Sequence, residues 1–387
     1  MQHIINMRDK SKVKSQKSKA KSQTLKLDSR ITLDYGSGGR KMHRLISEIF
    51  IKHFNNPILR KFEDSAELEI QKSKPDYCFT IDSYVVKPIF FPDSDIGKLS
   101  ICGTVNDLAV KGAKPLYIAV SFVIQEGMSL PSLEKICASI ANTAKSAGVM
   151  IVTGDTKVIE RHSQDQPRPS RIKQEIFSYE QGRGEEIIIT TCGIGKILPD
   201  FRNPTLSAKN INIGDKVLIN GNIGDHEGAI ILARGQFDFK ARIKSDCAPL
   251  YGLIETLAKA KCRIKMMRDP TRGGLATTLN EIADAAKLGI SINETDIPMQ
   301  KSVKGISDIL GFDPLYMANE GKVVIIADAK DANRILRIMK KHPLGKNSAI
   351  IGEVIRRKHG LGVWLNTKIG SQRPLLELEG FQIPRIC

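Results

Sequence analysis

Apolar runs that end at an acidic residue or a glycine turn, and then give way to helix-periodic segments, recur along this chain and commit it to a mixed α/β architecture. Residues 77–82 (YCFTID) read as a strand, with Val85-Val86 a short extension beyond it. Residues 102–111 (CGTVNDLAVK) read as a helix that stops at Gly112, and 116–124 as an apolar strand. Over 133–147, Leu133, Ile136, Cys137, Ile140, Ala141 and Ala144 fall on one helical face, with Pro131 in the first turn and Gly148 as the stop. Residues 149–153 predict a strand running into a Gly154-Asp155-Thr156-Lys157 turn, and 186–192 another strand. Nearer the start, 31–33 is a short strand candidate before Gly36-Ser37-Gly38-Gly39-Arg40, and Met42, Leu45, Ile46, Ile49 and Phe50 mark one face of a helix.

The second half repeats the style. Strand 216–220, glycine-rich 221–228 and helix 229–234 come first, then a helix over 250–260. Arg268 to Gly274 (RDPTRGG) enters a helix that ends by Gly289; Asn319-Glu320-Gly321 precedes strand 322–327, helix 329–340 and strand 350–355. The 387 residues have room for two domains with real cores. We divide them into a disordered basic arm (1–28), a first α/β domain (29–199), a second (200–365) and a flexible tail (366–387), with the linker-like stretch 199–207 at the boundary. Residues 160–183, polar and carrying Pro167 and Pro169, read as a loop insertion in the first domain.

Charge and cysteines bound the function class. Residues 1–30 hold nine Lys and Arg against Asp9 and Asp28, so +7 of the net +17 lies in that low-complexity arm. A scaffold that binds nucleic acid through the arm is one alternative reading, but no recognisable nucleic-acid module accompanies it. The seven cysteines include no CxxC pair, which argues against a zinc site or a disulfide framework and for a reducing, cytoplasmic setting. No apolar run approaches a membrane span and no secretory signal is visible.

The acids at strand ends carry the chemistry. Asp82, Asp107, Asp155, Asp225, Asp269 and Glu320 stand where carboxylates can hold Mg²⁺ while glycine N–H groups approach a phosphate. Lys157 is placed to meet a phosphate, and Gly36, Ser37, Gly38 and Gly39 form a donor-rich loop before a helix, as does Gly273-Gly274. His226 is as readily an acid–base group as a buried structural histidine. Each motif also has an ordinary structural reading: a hinge at GSGG, a helix cap at Asp269-Pro270-Thr271, a satisfied polar pair at Asn106-Asp107. Walker A, strict GxGxxG and GxSxG signatures are missing. Cys387, on a short tail after Pro384-Arg385-Ile386, has the freedom of a covalent carrier arm and does not form a prenylation box.

Taken together, GSGGRKMHRLI, the segment TIDSYVVKPIFFPDSDIGKLSICGTVNDLAVKGAKPLY, IVTGDTKV, GDHEGAI, RDPTRGGLATTLNEIA, GFDPLYMANEGKVVI and PRIC closely resemble the HypE family of hydrogenase maturation factors, the carbamoyl dehydratases. The resemblance runs from about residue 31 to 387 and leaves out the arm and 160–183. NDLAVKGAKPLY, GDTK and RDPTRGG belong to the wider aminoimidazole-ribotide-synthetase-like ATP enzymes; PRIC singles out HypE. It implies two α/β domains, N-terminal halves paired in a dimeric β-barrel, and ATP with Mg²⁺ between the domains. It implies that Cys387 receives a carbamoyl group from the carbamoyltransferase HypF, that ATP-dependent dehydration turns it into a thiocyanate, and that the nitrile carbon passes as cyanide to iron on a HypC–HypD scaffold. By the same resemblance Asp82, Asp107 and Asp225 serve Mg²⁺ or phosphate, Asp155 and Lys157 the phosphates, and Gly36–Gly39 the lid. Asp269, Arg272 and Glu320 belong to the second-domain part of the site, with Glu320 and His226 both open as the dehydration base. Tyr35 stands where the family pattern expects His. A selenophosphate-synthetase-like enzyme of the same superfamily is the alternative within the fold, and would not need Cys387.

Overall fold

The structure, a computed structural model, describes residues 39–54, 56–68, 76–160, 186–202, 206–235 and 241–378. The basic arm, Tyr35, Gly36-Ser37-Gly38, residues 161–185 of the insertion region, and Cys387 lie outside the described residues. Everything described belongs to one compact unit, Thr32–Cys387.

The first half opens with helix α1 (Arg40–Leu45), a π-turn over Ile46–Phe50 and a short helix α2 (Ile51–Phe54). The apolar face expected here exists, but α1 buries none of it and Ile49 is 39% exposed. Strands β1 (Ala66–Leu68) and β2 (Tyr77–Tyr84) follow, then a hairpin of β3 (Phe90–Phe91) and β4 (Ser94–Asp95). Val85 and Val86 lie outside any strand. Helix α3 (Ile96–Val110) starts six residues before the sequence reading, because Asp95 accepts the Lys98 N–H and caps it. It is apolar nearly all round, as suits a helix enclosed on every side. β5 (Ala113–Gln125), helix α4 (Leu130–Ala147), β6 (Met150–Ile159) and β7 (Ile187–Ile197) complete the half. Gly148 ends α4 in the left-handed region at φ 68°.

The sheet runs β1-β2-β7-β5-β6, with β5 and β6 parallel and the other pairs antiparallel. One consequence overturns the expected GDTK turn. Gly154 to Lys157 continue strand β6, in register with Val120 to Val123 of β5. Gly154 is needed for close approach rather than for turning, since a Cβ there would lie 2.2 Å from the Val120 carbonyl oxygen.

The second half holds β8 (Lys216–Ile219), helices α5 (Asp225–Arg234) and α6 (Tyr251–Lys259), β9 (Ile264–Arg268), α7 (Gly274–Ala286) and β10 (Gly289–Asn293). Helix α8 (Lys301–Leu310), β11 (Val324–Ala327), α9 (Ala329–Lys341), β12 (Ala349–Ile355), β13 (Val363–Asn366) and β14 (Gln372–Leu375) follow. Its mixed sheet runs β14-β13-β10-β12-β8-β11-β9. Leu218 and Ile325 pack with α6 and α9 on one face, while Val217, Ile219, Val324 and Ile326 pack with α7 on the other. Burial on both faces explains the unbroken apolar runs of β8 and β11. The stretch from 366 expected as tail is ordered to Leu378: β14 pairs antiparallel with β13, Gln372 opposite Asn366.

Asn106 of α3 ties the halves together. Its amide Nδ2 donates to the carbonyls of Ala248 and Glu320 at 3.1 Å each, and its Oδ1 accepts the Leu250 N–H at 2.8 Å. The side chain is 1% exposed, so three of its four hydrogen bonds are met by the opposite half.

Candidate active site

The end of β2, the last turns of α3 and the loop after β9 gather a set of carboxylates. Asp107 on α3 accepts a hydrogen bond from Thr80 Oγ1 at 2.8 Å. Burial pushes its carboxyl well above the ordinary range, and Asp269, Asp64 and Asp82 push it further. Asp269, after β9, is raised to about 7 by burial and by Asp64 and Asp82, with Arg268 opposing. Glu320 is held well above its usual value by burial, then by Cys247, Asp269, Asp246 and Asp82. Asp82 has Arg272 3.8 Å away across the two halves. Of the residues singled out from sequence, the structure therefore brings Asp82, Asp107, Asp269, Arg272 and Glu320 to one place.

Such a cluster resists full ionisation unless a cation joins it. No three His, Cys, Asp or Glu side chains among the described residues converge closely enough to hold a metal alone. Mg²⁺ does not require that, because it is commonly held by one or two carboxylates together with water and phosphate oxygens. Asp82 and Asp107, with Asp269 beside them, are carboxylates that would fit a site of that kind.

The remaining residues fall elsewhere. Asp225 and His226 open α5, beside Asp246. Asp225 is raised to about 6, chiefly by burial, with Gln300, Lys322 and Asp246 as its neighbours, and its Oδ1 has no hydrogen-bond partner. His226 is 1% exposed; its Nδ1 lies 2.9 Å from Ser245 Oγ and Phe91 meets its ring edge-on at 5.5 Å. Burial lowers its pKa to about 4, so the imidazole is neutral. Asp246 pairs with Lys322 at 2.8 Å and accepts the Glu320 N–H at 3.0 Å, which links this pocket to the carboxylate cluster.

Asp155 and Lys157 lie on β6 and pair with each other at 3.0 Å, both largely exposed. They border an open groove of about 530 Å³ along β5 and β6, lined by Val120, Phe122 and residues 151–156. Asp82 is opposite Thr191, Thr191 opposite Val120, and Val120 opposite Gly154, so Asp155 sits near the level of Asp82 but three strands away. At strand spacing that is about 14 Å.

The described end of the glycine segment meets the root of the tail. Gly39 packs so closely on Leu378 that a Cβ would lie 2.2 Å from its carbonyl oxygen, and Arg40 N–H donates to that oxygen at 3.4 Å. His43 of α1 lies between Glu281 of α7 (3.2 Å) and Glu377 (3.8 Å). Glu281 also pairs with Arg268 at 3.3 Å, and Arg268 with Asp64 at 3.0 Å.

Sequence reasoning missed Asp64, Arg268, Asp246 and Lys322. Asp64 precedes β1, whose three residues are too few to show a period. Asp246 stands in a loop with no strand before it, so the strand-end signal had nothing to act on. Lys322 was readable only as the residue after Asn319-Glu320-Gly321.

The family model for the AIR synthase related protein, N-terminal domain, matches residues 62–171, and that for its C-terminal domain matches 212–364. A putative hydrogenase expression/formation protein of Methanocaldococcus jannaschii is 43% identical over 365 residues, which cover 92% of this chain and 100% of that protein. The carbamoyl dehydratase HypE of Escherichia coli K12 is 39% identical over 360 residues, 92% of this chain and 99% of that one. Among solved structures, a chain from a HypE–HypF complex superposes with TM-score 0.76 at 43% identity, covering 86% of this chain and 99% of its own. HypE in complex with ATP gives 0.70 at 41%, covering 92% and 100%. A ThiL bound to AMPPCP and TMP, 15% identical with TM-score 0.63 over 90% of this chain and 99% of its own, shares the fold.

Proposed function

The chain belongs to the HypE family of hydrogenase maturation proteins, and from that premise we propose that it is an ATP-dependent carbamoyl dehydratase whose carrier is the Cys387 thiol. The observation that carries the reading is the meeting of the glycine segment and the tail root, Gly39 against Leu378, on a network of ion pairs that ends in the carboxylate cluster. Beyond Leu378, nine residues lead to Cys387. Fully extended they span at most about 30 Å.

In this reading the Cys387 thiolate takes a carbamoyl group from HypF. The amide oxygen then attacks the γ-phosphorus of ATP, releasing ADP, and the amide loses its first proton. Departure of phosphate and of the second N–H proton leaves an S-cyanocysteine. Phosphorylation is needed because oxygen is a poor leaving group and phosphate a good one. Bound Mg²⁺ would offset phosphate charge, with Asp82 and Asp107 as its protein ligands and Asp269 beside them. Arg272 serves the phosphate end, under a lid of Gly36, Ser37, Gly38 and Gly39; Asp155 and Lys157, three strands away on the open face of the sheet, we assign to that face and not to the phosphates. Glu320, in the cluster, is the acid–base group. His226 we assign to packing, since Ser245 and Phe91 enclose it. Asp225 we assign to the Lys322–Asp246 pocket rather than to the cation.

We further propose a homodimer paired through the open face of the first sheet, delivery of the nitrile carbon to iron on a HypC–HypD complex, and a cytoplasmic setting. No helix among the described residues is long and apolar enough to cross a membrane, and the six described cysteines are free thiols.

The test is the mass of the C-terminal peptide. The full chain is incubated with HypF, carbamoyl phosphate and ATP-Mg²⁺, then cut with a Glu-specific protease to release residues 380–387. The expected result is one carbamoyl group on Cys387 that loses one water only when ATP is present. An unmodified Cys387 with ATP still consumed would overturn the carrier role.

A further inference from the structure

Residues 372–378 are fastened along their length, first to the second half and then to α1. Asn280 Nδ2 donates to the Leu375 carbonyl at 2.9 Å, Tyr316 O–H to the Leu376 carbonyl at 2.7 Å, and Arg40 N–H to that of Leu378. Between the last two, Glu377 points to His43, which also holds Glu281. His43 joins α1, α7 and the tail root through its two ring nitrogens. Helix α1 leads directly out of the glycine segment, and α7 follows the Asp269 loop.

Resting on the carrier role of Cys387 given above, we propose that His43 is a positioning residue: as a cation clamped between Glu281 and Glu377, it fixes the point from which the carrier tail swings and ties that point to helix α1. Nε2 is within hydrogen-bond reach of Glu281 at 3.2 Å and Nδ1 lies 3.8 Å from Glu377, an ion-pair distance, so a carboxylate faces each ring nitrogen and favours the protonated ring. The two carboxylates hold its pKa near 10, so the clamp is closed at neutral pH. The physical role is effective concentration. A short tether with a fixed root keeps the loaded sulfur near the phosphorylation site, while a loosened root adds free chain and dilutes it. Glu281 passes the same clamp to Arg268 and Asp64, so the root keeps a set position relative to the carboxylates.

The test uses the full chain with three variants, His43→Gln, His43→Arg and Glu377→Gln, each first loaded on Cys387 by HypF and carbamoyl phosphate. On adding ATP-Mg²⁺, the two Gln variants are expected to convert carbamoyl to cyano about tenfold more slowly than the parent, with KM for ATP unchanged. His43→Arg, which keeps a cation between the two acids, is expected to recover to within about threefold. Parent-like rates in both Gln variants would overturn the proposal, and so would an Arg variant as slow as the Gln one. Should His43→Gln fail to fold, Glu377→Gln decides, because it leaves α1 untouched. If the parent itself never forms the cyano product, the carrier reading has failed and the clamp is judged separately by hydrogen exchange over 372–378. That exchange is expected to be about tenfold faster in His43→Gln, and equal rates would overturn the clamp.

Discussion

Asp269 is the residue at which the cost of assembling the site is most open to measurement. Its carboxyl moves from an ordinary 3.8 to about 7, so the folded chain keeps a proton that the unfolded chain has released. The stabilisation linked to that proton is complete below pH 4 and is lost as pH rises through about 7. A shift of that size corresponds to at most about 4 kcal/mol, shared among the carboxylates that repel one another. Asp269→Asn should therefore raise the ligand-free Tm by a few degrees at pH 8 and change it little at pH 5, as scanning calorimetry would show. His226 works in the opposite sense: lowered to about 4, it costs stability as pH falls from 6.5 toward 4. The comparison of parent with Asp269→Asn at each pH cancels that contribution. The same variant should lose ATP-dependent conversion by at least about a hundredfold, since the site keeps its shape but not its charge.

At the scale of elements, contacts made by strands and helices explain what the chain alone could reveal. Helices α4 and α9 were readable because each buries one face and exposes the other, and the period shows. The signature of α3 is missing from its first turns because it is enclosed on all sides; only its glycine stop and Asn106-Asp107 stood out. The acids at strand ends were legible as a group, yet their partition into a cluster around Asp107 and a separate pocket around Asp225 depends on pairings between distant segments. GDTK misled because glycine signals a turn by composition, whereas Gly154 serves the close approach of β6 to β5. Gly154→Ala, with its Cβ driven against the Val120 carbonyl, should cost about 1–3 kcal/mol, visible in the urea midpoint. Asn106→Ala should cost about 2–4 kcal/mol, because it strands two carbonyls and one N–H at the junction of the halves. A variant as stable as the parent would mean that the junction holds without Asn106.

For the whole molecule, the first sheet poses the question its own helices leave open. Helices α3 and α4 cover one face, and on the other Phe79 is 40% exposed, Ile81 63% and Ile188 37%. Strand β6 is exposed at all ten positions, including Val152 at 56% and Val158 at 68%, and it is the edge of the sheet, where backbone N–H and C=O groups await a partner. An apolar face of this extent beside an open edge is covered in a stable soluble protein. A second copy supplies both a matching face and a matching edge, because a two-fold axis sets a patch against itself. Sedimentation equilibrium of the parent should therefore give about twice the 42.8 kDa chain mass. Ile81→Asp with Ile188→Asp places two charges per copy on the proposed interface, where an unpaired carboxylate costs several kcal/mol. That double variant should sediment as a folded monomer with far-UV circular dichroism like the parent's. A parent that stays monomeric at tens of micromolar would sink the dimer and leave the exposed face to some other partner. A double variant that remains dimeric would place the interface elsewhere on the molecule.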